Sequence, residues 1–391
     1  MIETNINLID RVINNLEERR QNLLEGKINS IPISFLKRFT QDFVGIERKK
    51  YYVVTSQTKG AKTQFSSATF VYEPLLYAYE HPELLDVDIL YFPLEETPED
   101  VMNRFICHLL ARESSGDIRI NVQNLTSTNN SLPLPQDIIN LLRTKSFNKI
   151  LNYFNDHIIF SNTSNPTGIN KECRQYAIDH GKIYTRNVTI KNDITGEPEV
   201  KPVWDHYETT KPNHYIIPFI DHIGLLHREQ GFDLKGTMDK MSDYLVDLRN
   251  FFRMSPVVIQ QQSFFEGTDA FKLNKLRPTI TTLADSKYTA RDANVVLGLF
   301  NPFYYGLDNY LNYDVTRLKG DLRFLEVLIN RGGVANGITA LHFDGATCIF
   351  EQLPLPGSKD MENKYKEIEA KRKNSKYAFT IYKQNNTINN E

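Results

Sequence analysis

An α/β fold, with a mostly parallel central sheet flanked by helices, is what this sequence predicts, and three observations carry it. Two β-rich runs, 51–54 and 87–92, each pass through a polar turn into an apolar helical stretch. Strand-to-helix alternation is the pattern of a parallel sheet, because parallel neighbours need crossover connections. Strand-like runs then recur at 215–220, 256–260, 294–299 and 326–329. With 391 residues, 40% of them hydrophobic and 24% charged, the chain holds enough apolar material for a self-sufficient core.

The elements follow in chain order. Residues 5–25 read as a short N-terminal helical linker. Ile6, Ile9, Val12, Ile13 and Leu16 fall on one face at helical spacing, and Gly26 ends the run. That face packs either on its own domain or on a neighbouring subunit. After the second strand, Thr97 suits an N-cap and Pro98 the first helical position. Residues 113–212 are rich in Asn, Ser, Thr and Pro and read as an irregular insertion. Helical stretches are expected in it near 135–155 and 169–180, and a β-hairpin over 183–203. The tail beyond residue 357 is charged and then Asn-rich, which fits a helix with a frayed end. The expected division is 1–45 (helix and linker), 46–356 (main domain) and 357–391 (tail).

Composition excludes several classes. Cys107, Cys173 and Cys348 are far apart and form no CxxC pair, against a structural zinc site or a disulfide framework. A reducing, cytoplasmic compartment is the natural expectation. No apolar run approaches the roughly 20 residues needed to span a bilayer, and the acidic, amphipathic start is unlike a signal peptide. The nine histidines show no HxxxH or HExxH pair. The formal net charge is −2, so any contact with nucleic acid must use a local basic patch or a pore formed by assembly.

The turn after the first strand reads Ser56-Gln57-Thr58-Lys59-Gly60-Ala61-Lys62-Thr63. It keeps the spacing and the Lys-Thr pair of the phosphate loop GxxxxGK[ST], between a strand and a helix as that motif requires. Ser56 and Ala61 replace its two glycines. In such a loop, backbone N–H groups at the helix start would cradle phosphate, Lys62 would reach the β- and γ-phosphates of ATP, and Thr63 would hold Mg²⁺. Ala61 must then adopt backbone geometry that glycine normally supplies, unless Gly60 takes over that freedom. Asp221, ending the apolar run 215–220, suits the Mg²⁺-linked acid, though an acid there also serves as a plain strand-end turn residue. Glu95 suits a water-orienting group, or simply an acid at a helix N-terminus.

Phosphate loop, then strand-end Glu, then strand-end Asp is an order that resembles the RecA-like ATPase domain of the DnaB-type replicative helicases. The resemblance runs from about residue 20 to about residue 353. Residues 91–96 (YFPLEE) are similar to the family's Phe-Ser-Leu-Glu-Met motif and put its catalytic glutamate at Glu95. Residues 220–225 (IDHIGL) resemble Walker B, with Asp221 as the acid. Residues 256–262 (PVVIQQQ) are similar to its Pro-Val-Ile-Ala-Leu-Ser-Gln strand, which puts at Gln262 the glutamine that senses the γ-phosphate. Residues 277–280 and 291–296 match the following segment. Residues 330–337 resemble the hairpin whose arginine reaches the neighbouring subunit's nucleotide, here Arg331. The resemblance implies a P-loop ATPase that uses ATP and Mg²⁺, forms a homo-hexamer, translocates on single-stranded DNA and meets a primase or helicase loader, with no membrane role.

Departures are visible as well. Ile329 stands where the family has the lysine of its Lys-x-Arg pair, with Arg323 or Lys319 as substitutes, and Asn294 and Thr282 replace acids. No counterpart of the family's primase-contacting N-terminal domain is expected in these residues, and primase coupling is expected to use another surface. The DNA-facing loops correspond to 227–238, with Arg228 and Lys235, and to 263–280, with Lys272, Lys275 and Arg277 among Phe264, Phe265 and Phe271. Cations there would bind backbone phosphates and aromatics would stack on bases without reading sequence. Two other readings stand beside the helicase: a RecA/RadA- or KaiC-like ATPase that does not unwind, and a non-hydrolysing DNA-binding ring.

Overall fold

The computed structural model describes residues 5–128, 133–191, 197–211, 213–263 and 277–375. Its strands are β1 (Tyr52–Ser56), β2 (Asp86–Pro93), β3 (Ile158–Phe160), β4 (Gly181–Lys191), β5 (Pro198–Thr209), β6 (His214–Asp221), β7 (Val257–Gln261), β8 (Val295–Phe300), β9 (Asn309–Tyr310), β10 (Tyr313–Asp314), β11 (Leu322–Asn330), β12 (Ile338–Asp344) and β13 (Ile349–Gln352). Nine of them form one sheet in the order β13-β12-β11-β8-β1-β7-β6-β2-β3. The six from β8 to β3 are parallel, and β11, β12 and β13 run antiparallel to their neighbours. The mostly parallel sheet expected from sequence is therefore present.

Alternation along the strands builds two apolar layers. Tyr52 and Val54 of β1, with Ile217 and Phe219 of β6, meet Phe65, Phe70 and Tyr72 on one face. Val53, Ile216 and Ile220 meet Met241, Leu245 and Leu248 on the other. Those three come from the helix Leu234–Asn250, which presents them at helical spacing. The helix after β1 starts as Lys62–Ser67 and passes through a π turn, Ala68–Tyr72, into Glu73–Glu80.

Thr97 caps the helix Pro98–Glu113 as expected, in a capping box with Asp100. Within 113–212 the helices Gln136–Leu142, Lys145–His157 and Pro166–Asp179 form, and β4 and β5 make the expected hairpin, longer at both ends. Trp204 of that hairpin stacks on Phe251 at 5.3 Å between ring centroids. The same stretch also contributes β3 to the edge of the main sheet, which its sequence does not announce.

The N-terminal helix spans Asn5–Leu24 and Gly26 follows with φ +73°. Its apolar face is not packed on its own domain: Ile9 is 58% exposed and Leu16 61%. Polar residues hold it instead. Arg19 pairs with Glu47 at 3.2 Å, and Asn22 Nδ2 donates to Asn29 Oδ1 at 3.2 Å. At the other end, the helix Lys359–Ser375 covers Phe300, Phe324 and Leu353 with Met361, Tyr365 and Ile368. Among the described residues, no helix is long and apolar enough to cross a membrane.

Candidate nucleotide site

The expected phosphate loop, 56–63, leaves β1 between β7 and β8, at the C-terminal edge where open parallel sheets receive ligands. Ala61 itself takes the left-handed conformation, φ +69°, and caps the following helix. Lys59 is left-handed too, at φ +61°. Gly60 does not take over that freedom; it is needed for space. A Cβ on Gly60 would collide with Ser56 Oγ, which in turn donates to the Gln57 carbonyl at 2.8 Å. Ser56 and Gly60 thus form a matched pair, the serine filling volume that the motif's first glycine leaves open.

Arg323 is buried behind this loop rather than beside the 330–337 hairpin. Its Nε donates to the Gly60 carbonyl at 3.0 Å, and its Nη2 to that of Lys59 at 3.3 Å. Its Nη1 reaches the carbonyls of Gly320 and Leu322 at 2.7 and 2.8 Å. Asn301 Nδ2 adds a bond to Lys59 O at 3.1 Å. Arg323 therefore supports its own phosphate loop and does not replace the hairpin lysine missing at Ile329. Lys319, exposed in the turn before β11, sits at that same edge of the sheet, away from the hairpin.

Opposite the loop, Asp221 ends β6 almost fully buried, and Thr63 Oγ1 donates to its Oδ1 at 3.3 Å. Burial, with Glu96 and then Glu95 adding repulsion, pushes the Asp221 carboxyl up to about 7, against the pull of Arg104 and Lys62. A buried, oxygen-rich corner of this kind fits Mg²⁺, which favours oxygen ligands. Thr63 and Asp221 are the residues that would hold it.

Glu95 follows β2 and is exposed, its side chain free to meet a ligand, while Glu96 is fixed by a two-pronged pair with Arg104. β7, paired with β1, ends in Gln260 and Gln261, and Gln262 follows directly. Gln261 Nε2 donates to Thr58 Oγ1 of the phosphate loop at 3.0 Å. Gln262, expected as the γ-phosphate sensor, points the other way along the pleat and donates to Thr55 Oγ1 at 2.9 Å. Its Oε1 accepts from Thr282 Oγ1, so Thr282, in the place of an acid, ties Gln262 to the turn after the second expected DNA loop. A cavity of about 330 Å³ lies against Thr58, Gln261, Gln262 and His222.

Arg331 lies at the far edge of the sheet. Its Nε donates to the Ala293 carbonyl at 2.8 Å and its Nη2 to that of Arg291. Asn294 accepts from Tyr51 N at 2.8 Å and from Arg249 at 3.0 Å, a structural tie that an amide oxygen serves well. Of the expected DNA contacts, Arg228 is exposed. Lys235 is in the first turn of Leu234–Asn250 rather than in a loop, paired with Asp239 at 2.6 Å. Arg277 lies 3.6 Å from Glu326. Lys272, Lys275 and the three phenylalanines lie outside the described residues.

One cluster had no signal in the sequence. Asp88 is held between His157 Nδ1 at 2.8 Å and His214 Nε2 at 2.6 Å, with Asp86 nearby, at the opposite edge of the sheet. Burial alone would raise the Asp88 carboxyl, but hydrogen bonds from the two histidines hold it well below the usual carboxylate range.

The central sheet, its flanking helices and the loop at β1 define a RecA-like NTPase fold. Among solved structures, the chain is similar to one described as an ATPase domain, with a TM-score of 0.60 and 14% identity over 90% of this chain and 100% of that one. It is also similar to a DnaB-like replicative helicase whose structure was described with its interactions with primase. There the TM-score is 0.57 and the identity 14%, over 88% of this chain and 66% of that one. At such identity the likeness is one of fold. No family model and no curated protein matches the chain.

Proposed function

We propose that this chain is the ATP-hydrolysing motor of a DnaB-type helicase ring that translocates on single-stranded DNA. The observation that carries it is the convergence of Lys62, Thr63, Glu95 and Asp221 at one edge of a RecA-like sheet, with Thr63 and Asp221 3.3 Å apart. In this reading Lys62 binds the β- and γ-phosphates, and Thr63 and Asp221 hold Mg²⁺, which supplies charge neutralisation at the phosphate oxygens. Glu95 orients and deprotonates the attacking water. Arg331 leaves its backbone carbonyls and stabilises charge on the neighbouring subunit's nucleotide. Gln261 and Gln262 couple the phosphate loop to the 263–280 segment, which with Arg228, Lys235, Lys272, Lys275 and Arg277 grips the DNA backbone. A primase or loader would dock elsewhere on the ring.

The deciding experiment is phosphate release from ATP, with and without single-stranded DNA, for the native chain, Lys62→Ala and Glu95→Gln, followed by separation of a forked duplex. The motor reading expects DNA-stimulated release that falls by about 100-fold or more in both variants, and strand separation by the native chain alone. Stimulated release without strand separation would favour a RecA/RadA- or KaiC-like role. DNA binding with no release would favour a non-hydrolysing ring.

A further inference from the structure

At the opposite end of β1 from the phosphate loop, a cavity of about 130 Å³ lies between the N-terminal helix and the N-terminal edge of the sheet. Its floor is cationic. Arg48 and Lys49 come from the turn before β1, and Arg253 from the turn between the helix Leu234–Asn250 and β7. Lys49 and Arg253 both sit at positive φ, +61° and +60°, where glycine or asparagine is the easy choice. The roof is the N-terminal helix, through Asn15, Glu18, Arg19 and Asn22.

The charges do not balance. Arg19 is neutralised by Glu47 at 3.2 Å. Among the described residues Arg48, Lys49 and Arg253 form no ion pair; Glu18 and Glu208 act on them only from beyond contact distance. Burial first, then the charges of their neighbours, pushes both Lys49 and Arg253 below their ordinary ranges. Arg48 lies over the Tyr215 ring at 5.7 Å and makes a long contact, 3.5 Å, to Asn213 Oδ1. Three mutually repelling cations, Arg48 and Arg253 half-buried and Lys49 exposed, are a poor structural element. They are a good receptor for a compact, multiply charged anion, which guanidinium and ammonium donors bind with strong charge-assisted hydrogen bonds.

We propose that this cavity is a phosphate site, taking the phosphate or diphosphate group of a small molecule between Arg48, Lys49 and Arg253. The enclosing helix favours a small anion over a nucleic-acid backbone. The same anion would tie the N-terminal helix to the domain, since Asn15 and Asn22 of the helix face it from above. The site is independent of the ATPase reading.

The test uses the full chain carrying Lys62→Ala, which removes the phosphate loop as a competing site, and inorganic pyrophosphate as the probe. Calorimetric titration is expected to show saturable binding that resists matched sodium chloride. Amide exchange in the helix 5–24 should slow when pyrophosphate is present. Adding Lys49→Gly or Arg253→Gly should cost about tenfold or more in affinity. Both changes suit the local φ, so Tm should hold or rise, which separates lost binding from lost folding. Pyrophosphate binding that is unchanged by either glycine variant would overturn the proposal. So would the absence of binding in the Lys62→Ala chain, or an Arg253-dependent affinity for single-stranded DNA with none for pyrophosphate.

Discussion

Arg323 Nε donates to the carbonyl of Gly60 at 3.0 Å, joining two residues 263 positions apart in the chain. The guanidinium serves four backbone carbonyls and lies over the Phe343 ring at 5.1 Å. Burial pushes it down to about 10, the charge of Asp321 opposing. Its fork of donors fixes the back of a phosphate loop that lacks its usual glycines. Arg323→Ala should destabilise the chain by about 2–4 kcal/mol, through buried carbonyls left without donors, and weaken nucleotide binding. Arg323→Lys should fail to restore either, because one ammonium cannot span those carbonyls. Thermal melts with and without ATP check both outcomes.

Ala61 holds φ +69° with a Cβ that this region disfavours by about 1–2 kcal/mol. Ala61→Gly should therefore raise stability by about 1 kcal/mol and leave phosphate release intact or faster. A lower melting temperature in that variant would show that the methyl group packs usefully.

Asp221 sets a pH dependence whose sign follows from its raised pKa. The unfolded carboxyl ionises near 3.8 and the folded one near 7. The nucleotide-free protein thus loses stability as pH rises from about 4 to about 7, by roughly 4 kcal/mol in all. Asp221→Asn should stabilise the ligand-free chain at pH 8 by several degrees and abolish Mg²⁺-dependent nucleotide binding. In the native chain, Mg²⁺-nucleotide affinity should fall as pH drops below about 7, with proton release on binding measurable by calorimetry in buffers of different ionisation enthalpy.

Arg331 and Glu95 belong to different sites of the proposed ring, one acting on the neighbour's nucleotide and one on its own. Arg331→Ala and Glu95→Gln should each be inactive alone. Mixed in equal amounts they should regain phosphate release, since some interfaces then carry both native residues. Mixtures that stay silent would place Arg331 outside the chemistry.

Much of the fold was legible because its signals are local. Thr97-Pro98 announces the start of the helix Pro98–Glu113, and the spacing from Ser56 to Thr63 raises the expectation of a phosphate loop even with two glycines changed. The strain at Ala61 could be read the same way. What escaped depends on distant pairing. β3 is three residues long and exists because β2 offers an edge. Which glutamine meets the phosphate loop depends on register: Gln261 pairs with Ser56 across β7 and β1, so its side chain falls beside Thr58 while Gln262 falls beside Thr55. Asp88 finds His157 and His214 across 69 and 126 residues, a meeting no spacing rule anticipates.

β11 carries Arg323 near its start and delivers Arg331 just past its end. It pairs with β12 over Leu322–Glu326 and with β8 over Phe324–Asn330, where the register shifts between Val327 and Ile329. The two arginines ride on one strand about 25 Å long, one end under the chain's own expected phosphate loop and the other exposed. A load applied at the outer end has to pass the register shift between Val327 and Ile329 to reach that loop. In the proposed ring, that irregularity is the one place along the strand where adjacent sites would couple or slip.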